Sequence, residues 1–542
     1  MFRENNAHCQ EELFNSYSSM NKKVQEKLGN SWAPLYYEHV FCKIDEKPFA
    51  VLYCLDNGRP NFPVNVLLSL DFIKHMKNYT DEEMYEQYFF NYQVAYALGL
   101  RTLGELYLGE RTIYDFRERI YRYALENPDK EDLIFGQFEN LTAHFIDIAN
   151  INTNEQRMDS TLFMPNIKLA GRLSLSYDVL EQAIKACPKE ILTEALTNFI
   201  QPTHKTNVLY RTKSSEVSAR LQDIVDLCVQ LLDVIKPYPE IKSLEKIQLV
   251  QRFLKEQANF ESDKEAWTAK ENKEIEANSM QSAYDPDATY RKKAGKRNVG
   301  YVANLTETCS DENSIQLITD YTVEKNIISD TQMLKDRLPV IQDKMEVTDV
   351  YTDGGYYSQE TDQNAQESGV TIHYTDMTGR KPDPDKLPIT SFEIKDNEIV
   401  VSCPNDQKPI SSNYNKDTGK LTAHFDLTTC QQCPMRDACP VELQKKRAVL
   451  RVSQKSVVVA QTRDRIKDKD ERKKSTSKRA AIEGTNSALK RSQGAGKLKV
   501  RTIAKNKLVM GMKIIGHNFR QVTRFLKGQF QKRNTNAGIL LC

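Results

Sequence analysis

The chain has 542 residues, 39% hydrophobic and 28% charged, which is enough for roughly three or four globular domains with a core each. Residues 1–20 contain no apolar signal segment and no run of 18 apolar residues occurs, so we expect a cytoplasmic protein without a membrane span. The net charge of +2 conceals an asymmetry, because residues 472–533 hold 18 Lys or Arg residues and one acid. The rest of the chain is therefore about 15 charges negative, and this polarity predicts a polyanionic partner whose binding is salt-sensitive.

The N-terminal part of the sequence is typical of packed helices. Residues 60–127 carry apolar residues at helical spacing from Val64 to Phe72, a capping box formed by Thr80 and Glu83, and a further helix from Thr112. We predict an α-helical N-terminal domain over residues 1–135. Its helices could serve only as a core or could contact DNA, and the spacing alone does not decide between the two.

The middle of the chain alternates strand and helix patterns. A strand over residues 154–164 carries Asp159, helical spacing dominates residues 176–281, and strand patterns return at 299–308, 315–323, 347–352 and 371–374. This order predicts a mixed α/β core made of residues 150–175 and 282–388, interrupted by a helical insert over 176–281.

The last third of the chain divides into three predicted parts. Residues 389–451 contain short β-like segments with turn signals and a cysteine cluster, which predicts a β insert. Residues 452–530 are predicted to complete the core with a charged connector at 467–478, the helix that carries Glu483 and the basic segment. Residues 531–542 form a predicted tail.

Three acidic residues are candidates for one site. Asp159 lies inside a strand, where a carboxylate is costly unless it is paired or metal-bound. Asp353 follows a strand and precedes two glycines, which favours a sharp turn at a strand end. Glu483 is the only acid in the basic segment, and a helix would place it on one face with Arg479 and Lys490. For each aspartate alone, a strand-end cap or a salt bridge is the alternative.

Such a set of carboxylates suits phosphodiester chemistry. Cleavage or transfer of a phosphodiester needs an activated oxygen nucleophile and a stabilised leaving oxygen, which two Mg²⁺ or Mn²⁺ ions can supply. Mg²⁺ prefers hard oxygen ligands such as carboxylates. The Lys and Arg residues of the same segment are candidates for contact with DNA phosphates: Arg479, Lys490, Arg491, Lys497, Lys499 and Arg501.

These blocks resemble the DDE transposases of bacterial insertion sequences, in the group whose glutamate lies in a Tyr-x2-Arg-x3-Glu-x6-Lys signature. The similar residues are Asp159-Ser160-Thr161 with Asn166 downstream, Thr352-Asp353-Gly354-Gly355-Tyr356, and Arg479, Glu483 and Lys490. The helices over 60–127 resemble the N-terminal transposase domain of the same family, and GHNFRQVTRF from Gly516 resembles its terminal helix. Thr476 stands where the signature has tyrosine, so the resemblance does not carry over a hairpin intermediate.

The resemblance implies a fold, a site and partners. It implies a ribonuclease-H-like catalytic core with two divalent cations, Mg²⁺ or Mn²⁺, held by Asp159, Asp353 and Glu483. It also implies that Arg479 and Lys490 contact DNA near the transferred strand. The implied partner is double-stranded DNA, both terminal inverted repeats and target, bound by a homodimer associated with the nucleoid and not with a membrane.

The cysteines fall into two sets. Cys403, Cys430, Cys433 and Cys439 have the spacing C-x26-C-x2-C-x5-C, and four thiolates suit a structural Zn²⁺ site in a small insert. The alternatives are thiols that cluster without metal, or His424 in place of one ligand. The other seven cysteines show no motif spacing, which predicts free thiols in a reducing compartment: Cys9, Cys42, Cys54, Cys187, Cys228, Cys309 and Cys542.

The sequence leaves three functions to compare. A metal-dependent DNA transposase accounts for the acidic trio and the basic segment together. A non-catalytic DNA-binding protein derived from a transposase, or a nuclease that cleaves without joining, would share part of these features. Neither a Gly-rich phosphate loop nor Ser/His/Asp spacing is present, and we expect His373 and Asp285 to be structural.

Overall fold

The N-terminal region of the structure, a computed structural model, is helical. The structure describes residues 1–10, 15–54, 58–130, 132–262, 265–293, 295–375, 383–416, 418–465 and 469–539. Cys542 and residues 467–468 of the predicted connector therefore lie outside the described residues. The N-terminal helices are α1 (Lys22–Gly29), α2 (Ala33–His39), α3 (Val64–Lys77), α4 (Asp81–Phe90), α5 (Tyr92–Ala97), α6 (Glu110–Glu126) and α7 (Leu133–Ala149).

Local sequence signals explain where several of these helices begin and end. Helix α4 starts at the predicted capping box, in which the Thr80 hydroxyl accepts from the Glu83 amide and the Glu83 carboxylate accepts from the Thr80 amide. Helix α3 ends at Asn78, which adopts a left-handed conformation with φ of 59°. The predicted capping box is therefore confirmed in the structure.

The central region begins with the strand β1 (Glu155–Phe163) and continues into a helical insert. The insert contains α8 (Arg172–Ala186), α9 (Glu194–Phe199), α10 (Pro202–Tyr210), α11 (Val217–Val234), α12 (Pro239–Lys242) and α13 (Glu245–Gln257). It has its own apolar core. It differs from the predicted all-helical segment at its end, where β2 (Ala258–Glu261) and β3 (Ala266–Ala269) form a hairpin that pairs Phe260 with Trp267.

A mixed sheet follows and encloses β1. Its further elements are β4 (Thr289–Lys293), β5 (Lys296–Thr308), β6 (Ile318–Lys325), α14 (Asp330–Lys344), β7 (Asp349–Thr352), α15 (Gln359–Glu367) and β8 (Thr371–Tyr374). The strand order is β4-β5-β1-β7-β8, and β6 pairs with β5 as well. Strand β1 is antiparallel to β5 and parallel to β7, β6 is antiparallel to β5, and β8 is parallel to β7. The carboxyl ends of β1 and β7 therefore meet at one edge, the usual place for a site in such sheets.

The predicted β insert is present as a small sheet domain. It contains β9 (Glu393–Lys395), β10 (Ile399–Ser402), β11 (Ser411–Asn415), β12 (Lys420–Phe425), α16 (Leu427–Gln431), β13 (Glu442–Leu443) and β14 (Ala448–Ser453). Strands β11, β12, β14 and β13 form one antiparallel sheet, and β9 pairs with β10. A compact apolar cluster that includes Phe392, Leu421 and Phe425 holds the insert together.

The C-terminal part is helical and packs against both the N-terminal helices and the sheet. Its helices are α17 (Gln454–Arg465), α18 (Lys469–Ala480), α19 (Ile482–Ser492) and α20 (Ile503–Ile539). The predicted connector is thus mostly the helix α18, and residues 531–539 of the predicted tail extend α20. Helix α20 shares one large apolar core with α3, α7 and the sheet. At the crossing with α3, Gly516 is required, because a Cβ there would lie 2.7 Å from Met76 Cβ. In the described part of the chain, no helix is both long and apolar enough to span a membrane.

Candidate active site

The structure places the two candidate aspartates side by side. Strand β1 pairs with β7 so that Glu155 faces Asp349 and Arg157 faces Tyr351. Continuing this register by two residues brings Asp159 beside Asp353. Asp159 is 9% exposed, and Asp353 caps the turn after β7 by accepting from the Gly355 amide at 2.8 Å.

The side chain of Arg479 joins all three candidate carboxylates. Its Nη2 lies 3.2 Å from Asp159 Oδ1 and 3.8 Å from Asp353 Oδ2, and its Nη1 donates to Glu483 Oε1 at 3.1 Å. Arg479 lies in the last turn of α18 and Glu483 in the first turn of α19, so the break between the two helices directs both side chains to one point. Three carboxylates from distant parts of the chain thus surround one positive charge.

Two further polar contacts hold this group, and neither was predicted. Asn486, one turn after Glu483, donates from Nδ2 to Asp159 Oδ2 at 3.2 Å. Ser160 donates from its hydroxyl to Asp330 Oδ1 at 2.6 Å, which brings a fourth carboxylate to the rim. The helical offset of three residues from Glu483 could have indicated Asn486, whereas no local pattern points to Asp330.

Buried ion pairs dock α18 and α19 on the sheet. Arg157 on β1 pairs with Glu307 on β5 at 2.6 Å, and Glu307 also accepts from the Thr485 hydroxyl at 2.7 Å. Arg157 donates in addition to the Lys478 carbonyl at 3.0 Å, and the Lys478 ammonium lies 2.6 Å from Glu155. These contacts fix the helices that carry Arg479 and Glu483, but they join residues far apart in sequence and were not predicted.

The surroundings shift the ionisation of the site. Burial raises the pKa of Asp159 and the neighbouring Asp353 raises it further, while Arg479 opposes both. Burial lowers the pKa of Arg479, but the pull of Asp159 and the other carboxylates outweighs it and leaves the pKa raised. The pKa of Lys490 is lowered by burial and by Lys293, against the pull of Asp159. The nearby guanidinium of Arg479 therefore favours the charged form of Asp159, which burial disfavours.

The donor set fits a divalent metal in kind. Three carboxylates supply hard oxygen ligands, they already enclose a cation, and the buried Oδ1 of Asn486 has no hydrogen-bond partner. Within the residues that the structure describes, however, no three His, Cys, Asp or Glu side chains are grouped closely enough to hold a metal ion. The Arg479 guanidinium lies between the three carboxylates, which are near one another but not close enough to coordinate one metal ion.

The predicted DNA-contacting residues differ in their freedom to bind phosphate. Arg491, Lys497 and Lys499 are exposed, and Lys490 is half-buried. Arg501 is engaged within the protein, because its Nε donates to the Asn166 carbonyl at 3.0 Å and its guanidinium lies over the Tyr284 ring at 5.0 Å.

The four clustered cysteines line one small cavity in the β insert, together with Phe425 and Val441. Burial raises the pKa of Cys430, and proximity to the other three thiols raises it further. His424 does not line this cavity, which leaves Cys403, Cys430, Cys433 and Cys439 as the candidate ligands. Like the three carboxylates, these thiols are not close enough to one another in the structure to coordinate one metal ion.

His373 and Asp285 are structural, as predicted. The Nε2 of His373 lies 2.7 Å from Asp349 Oδ1, and its ring stacks on Tyr351. Asp285 is fully buried and accepts from the Tyr301 hydroxyl at 2.5 Å and from the Thr502 amide at 3.0 Å.

Comparison with protein families gave two matches. Residues 402–523 match the family described as a transposase DDE domain, and residues 35–119 match the family described as a transposase domain (DUF772). The first match includes Glu483, Arg479 and the four clustered cysteines, and the second covers helices α3 to α5 and most of α6. Comparison with curated proteins and with solved structures gave no match.

Proposed function

The two matches support a DDE transposase of the insertion-sequence type, and from this premise we propose that the chain cleaves DNA at element ends and joins the freed strands to target DNA. The observation that carries the proposal is the convergence of Asp159, Asp353 and Glu483 on the single guanidinium of Arg479. The three carboxylates come from the interior of β1, the end of β7 and the first turn of α19, and such a convergence of ionisable side chains is typical of functional sites.

The sheet supports a ribonuclease-H-like core. Strands β6, β5 and β1 are antiparallel neighbours, and β7 and β8 continue the sheet in parallel with β1. A mixed sheet of this kind is compatible with the ribonuclease-H-like core that the resemblance implies. The helical insert enters between β1 and β4, and the β insert enters between β8 and α17, so both leave the carboxylate edge intact.

In this proposal Asp159, Asp353 and Glu483 would hold two Mg²⁺ or Mn²⁺ ions. When bound, these ions activate the attacking oxygen and stabilise the leaving oxygen of a phosphodiester. The protein's own part is to fix the ligands. Asn486 orients the Asp159 carboxylate, and the Arg157–Glu307 pair anchors α19.

The basic residues next to the site would bind DNA. Lys490 lies about two helical turns after Glu483 on α19, and the exposed Arg491, Lys497 and Lys499 follow it in the chain. Neutralising several phosphates releases counterions, so the affinity should fall steeply with salt. A homodimer would bring two element ends together in the proposed reaction, and a DNA-bound protein of this kind would be found with the nucleoid.

The β insert would carry a structural Zn²⁺ ion on Cys403, Cys430, Cys433 and Cys439. The insert is small, and its core consists of few apolar residues. A metal that joins the 403 loop to α16 and the 433–439 loop would stabilise it without offering an open coordination position.

Nicking of supercoiled plasmid DNA tests the proposed catalysis. We expect Mn²⁺-dependent nicking by the wild type, loss of nicking in Asp353→Asn and Glu483→Gln, and no change in Glu346→Gln, which alters an exposed acid outside the site. DNA binding without nicking by any of these proteins would favour the non-catalytic DNA-binding function instead. Nicking that never leads to joined products would favour a simple nuclease.

A further inference from the structure

A cleft of about 720 Å³ lies between the N-terminal helices and the C-terminal segment. One wall is formed by α3, α4 and α6, and the other by residues 494–500 and the start of α20. The two walls touch at Gly494, whose φ is 67° and where a Cβ would lie 2.6 Å from Asn78 Oδ1. The cleft is thus part of the packed structure and not a gap between loosely joined parts.

The acidic residues of this cleft are already neutralised by other cations. Asp81 accepts from Lys74 at 2.8 Å and from Arg117 at 2.7 Å. Glu118 pairs with Lys505 at 3.3 Å, while the remaining acid, Asp115, lies 3.5 Å from Arg111.

Among the residues that the structure describes, three lysines of the cleft form no salt bridge with a carboxylate: Lys497, Lys499 and Lys513. Lys497 and Lys499 are exposed. Lys513 is only 3% exposed, and its ammonium donates to the backbone carbonyl of Gln493. Burial lowers the pKa of Lys513 to about 8, and the like charges of Lys74 and Lys499 contribute to this shift. A buried ammonium next to two other cations is costly unless an anion joins it.

We propose that this cleft binds a phosphate group, with Lys513 at its floor and Lys499 at its mouth. An anion there would accept from the Lys513 ammonium and offset its repulsion by Lys74 and Lys499. The ring of Tyr121 lies under Lys505 at 4.0 Å, and Tyr79 and Tyr114 complete a wall on which a sugar or base could rest. The inference rests on the proposed function only for the source of the phosphate.

The position of the cleft favours the DNA backbone as that source. The strand that carries Asp159 continues into Met164, which accepts from the Leu498 amide at 2.9 Å and bridges to Lys497 in parallel. Five residues of strand span roughly 16 Å, so the cleft begins about five nucleotides from the carboxylates. A duplex that reached both places would bridge the N-terminal helices and the catalytic edge. A free phosphate ester, such as a nucleotide, has the same recognition chemistry.

Binding measured without divalent metal tests the site apart from catalysis. A fluorescein-labelled duplex of arbitrary sequence is titrated between about 50 and 200 mM salt with the full-length wild type, Lys513→Met and Lys499→Met. We expect each variant to lower the slope of log affinity against log salt by about 1. Lys507→Met is the matched control, because Lys507 lies on the same helix, faces Asp132 and is outside the cleft.

Inorganic phosphate and dAMP, titrated by calorimetry, form the second arm. Binding of either one that is lost in Lys513→Met and Lys499→Met, with an unchanged duplex slope, would assign the site to a free phosphate ester. If neither arm distinguishes the two variants from Lys507→Met, the cleft is not a phosphate site. Because Lys499 is exposed, its variant keeps the test valid even if Lys513→Met does not fold. If the wild type shows these effects on binding but does not nick DNA, the proposed catalytic function is contradicted and the phosphate site in the cleft is not.

Discussion

Replacing Arg479 by glutamine should make the metal-free site bind Mn²⁺ more tightly. The guanidinium now occupies the position between Asp159, Asp353 and Glu483, so a divalent cation must compete with it. Glutamine keeps part of the side-chain volume but removes the charge. The variant therefore removes the competitor and leaves the carboxylates in place.

The size of this effect follows from how well each contact is shielded from water. The Arg479 and Asp159 side chains are 20% and 13% exposed, whereas Asp353 and Glu483 are 37% and 64% exposed, so the Asp159 contact dominates. A close opposite charge shifts a carboxyl pKa by about 1 to 3 units, which corresponds to roughly 1.4 to 4 kcal/mol. After discounting for the exposed partners, we expect Mn²⁺ affinity to rise on the order of 10-fold to 100-fold.

The assay is Mn²⁺ binding by electron paramagnetic resonance at pH 8 without DNA. Slightly alkaline pH matters because the pKa of Asp159 is raised by burial, and losing Arg479 raises it further. Arg491→Gln is the control, since it removes an exposed Arg about two helical turns after Glu483 and leaves the carboxylate contacts unchanged. Equal or weaker Mn²⁺ binding by Arg479→Gln than by Arg491→Gln would refute the reasoning.

Three further changes test other parts of the structure. Glu307→Gln leaves the buried Arg157 without its ion-pair partner and should lower the free energy of unfolding, measured in urea, by about 3 to 5 kcal/mol. The control Glu346→Gln changes an exposed residue and should leave this free energy nearly unchanged. A decrease of less than about 1 kcal/mol in Glu307→Gln would contradict the anchoring role. Cys433→Ser should reduce the zinc content of the purified protein and increase protease cleavage within residues 389–451. The control Cys54→Ser replaces an exposed cysteine outside the cluster and should change neither quantity. A wild-type protein with less than one equivalent of zinc would contradict a zinc site. The pKa of Lys513 is about 8 in the folded protein and about 10.4 in the unfolded chain, so the charge of Lys513 destabilises the fold fully below pH 8 and progressively less up to about pH 10. The difference in unfolding free energy between Lys513→Met and the wild type should therefore shrink between pH 8 and about pH 10. A difference that stays constant over this range would contradict the prediction.

The strands and the capping box could be predicted because their signals are local, and local signals also single out the three acidic residues whose catalytic role stays a prediction. Alternation marks a strand around Asp159, two glycines after Asp353 indicate a turn, and the isolation of Glu483 among cations is visible in the sequence. That Asp159 lies beside Asp353 depends on the register between β1 and β7, which only the folded sheet defines.

The remaining features depend on partners far apart along the chain. The contacts of Arg479 with Asp159 and Glu483 join residues that the sequence could not bring together, while the predicted contact of Arg479 with DNA stays a prediction. The segment that the sequence predicts as a connector is mostly the helix α18, and its Lys478 contacts Glu155 on β1, a partner more than 300 residues away in the chain. The hairpin at the end of the helical insert pairs Phe260 with Trp267 across a short turn, and helical spacing before it gives no sign of the change.

The most direct test of the central claim is strand joining on DNA that carries the ends of the encoding element, with Mg²⁺ or Mn²⁺. The proposal predicts cleavage at the ends and joining to target DNA by the wild type, and loss of both in Glu483→Gln, which retains DNA binding. Salt-sensitive binding by both proteins with no cleavage by either would contradict a catalytic role for Asp159, Asp353 and Glu483.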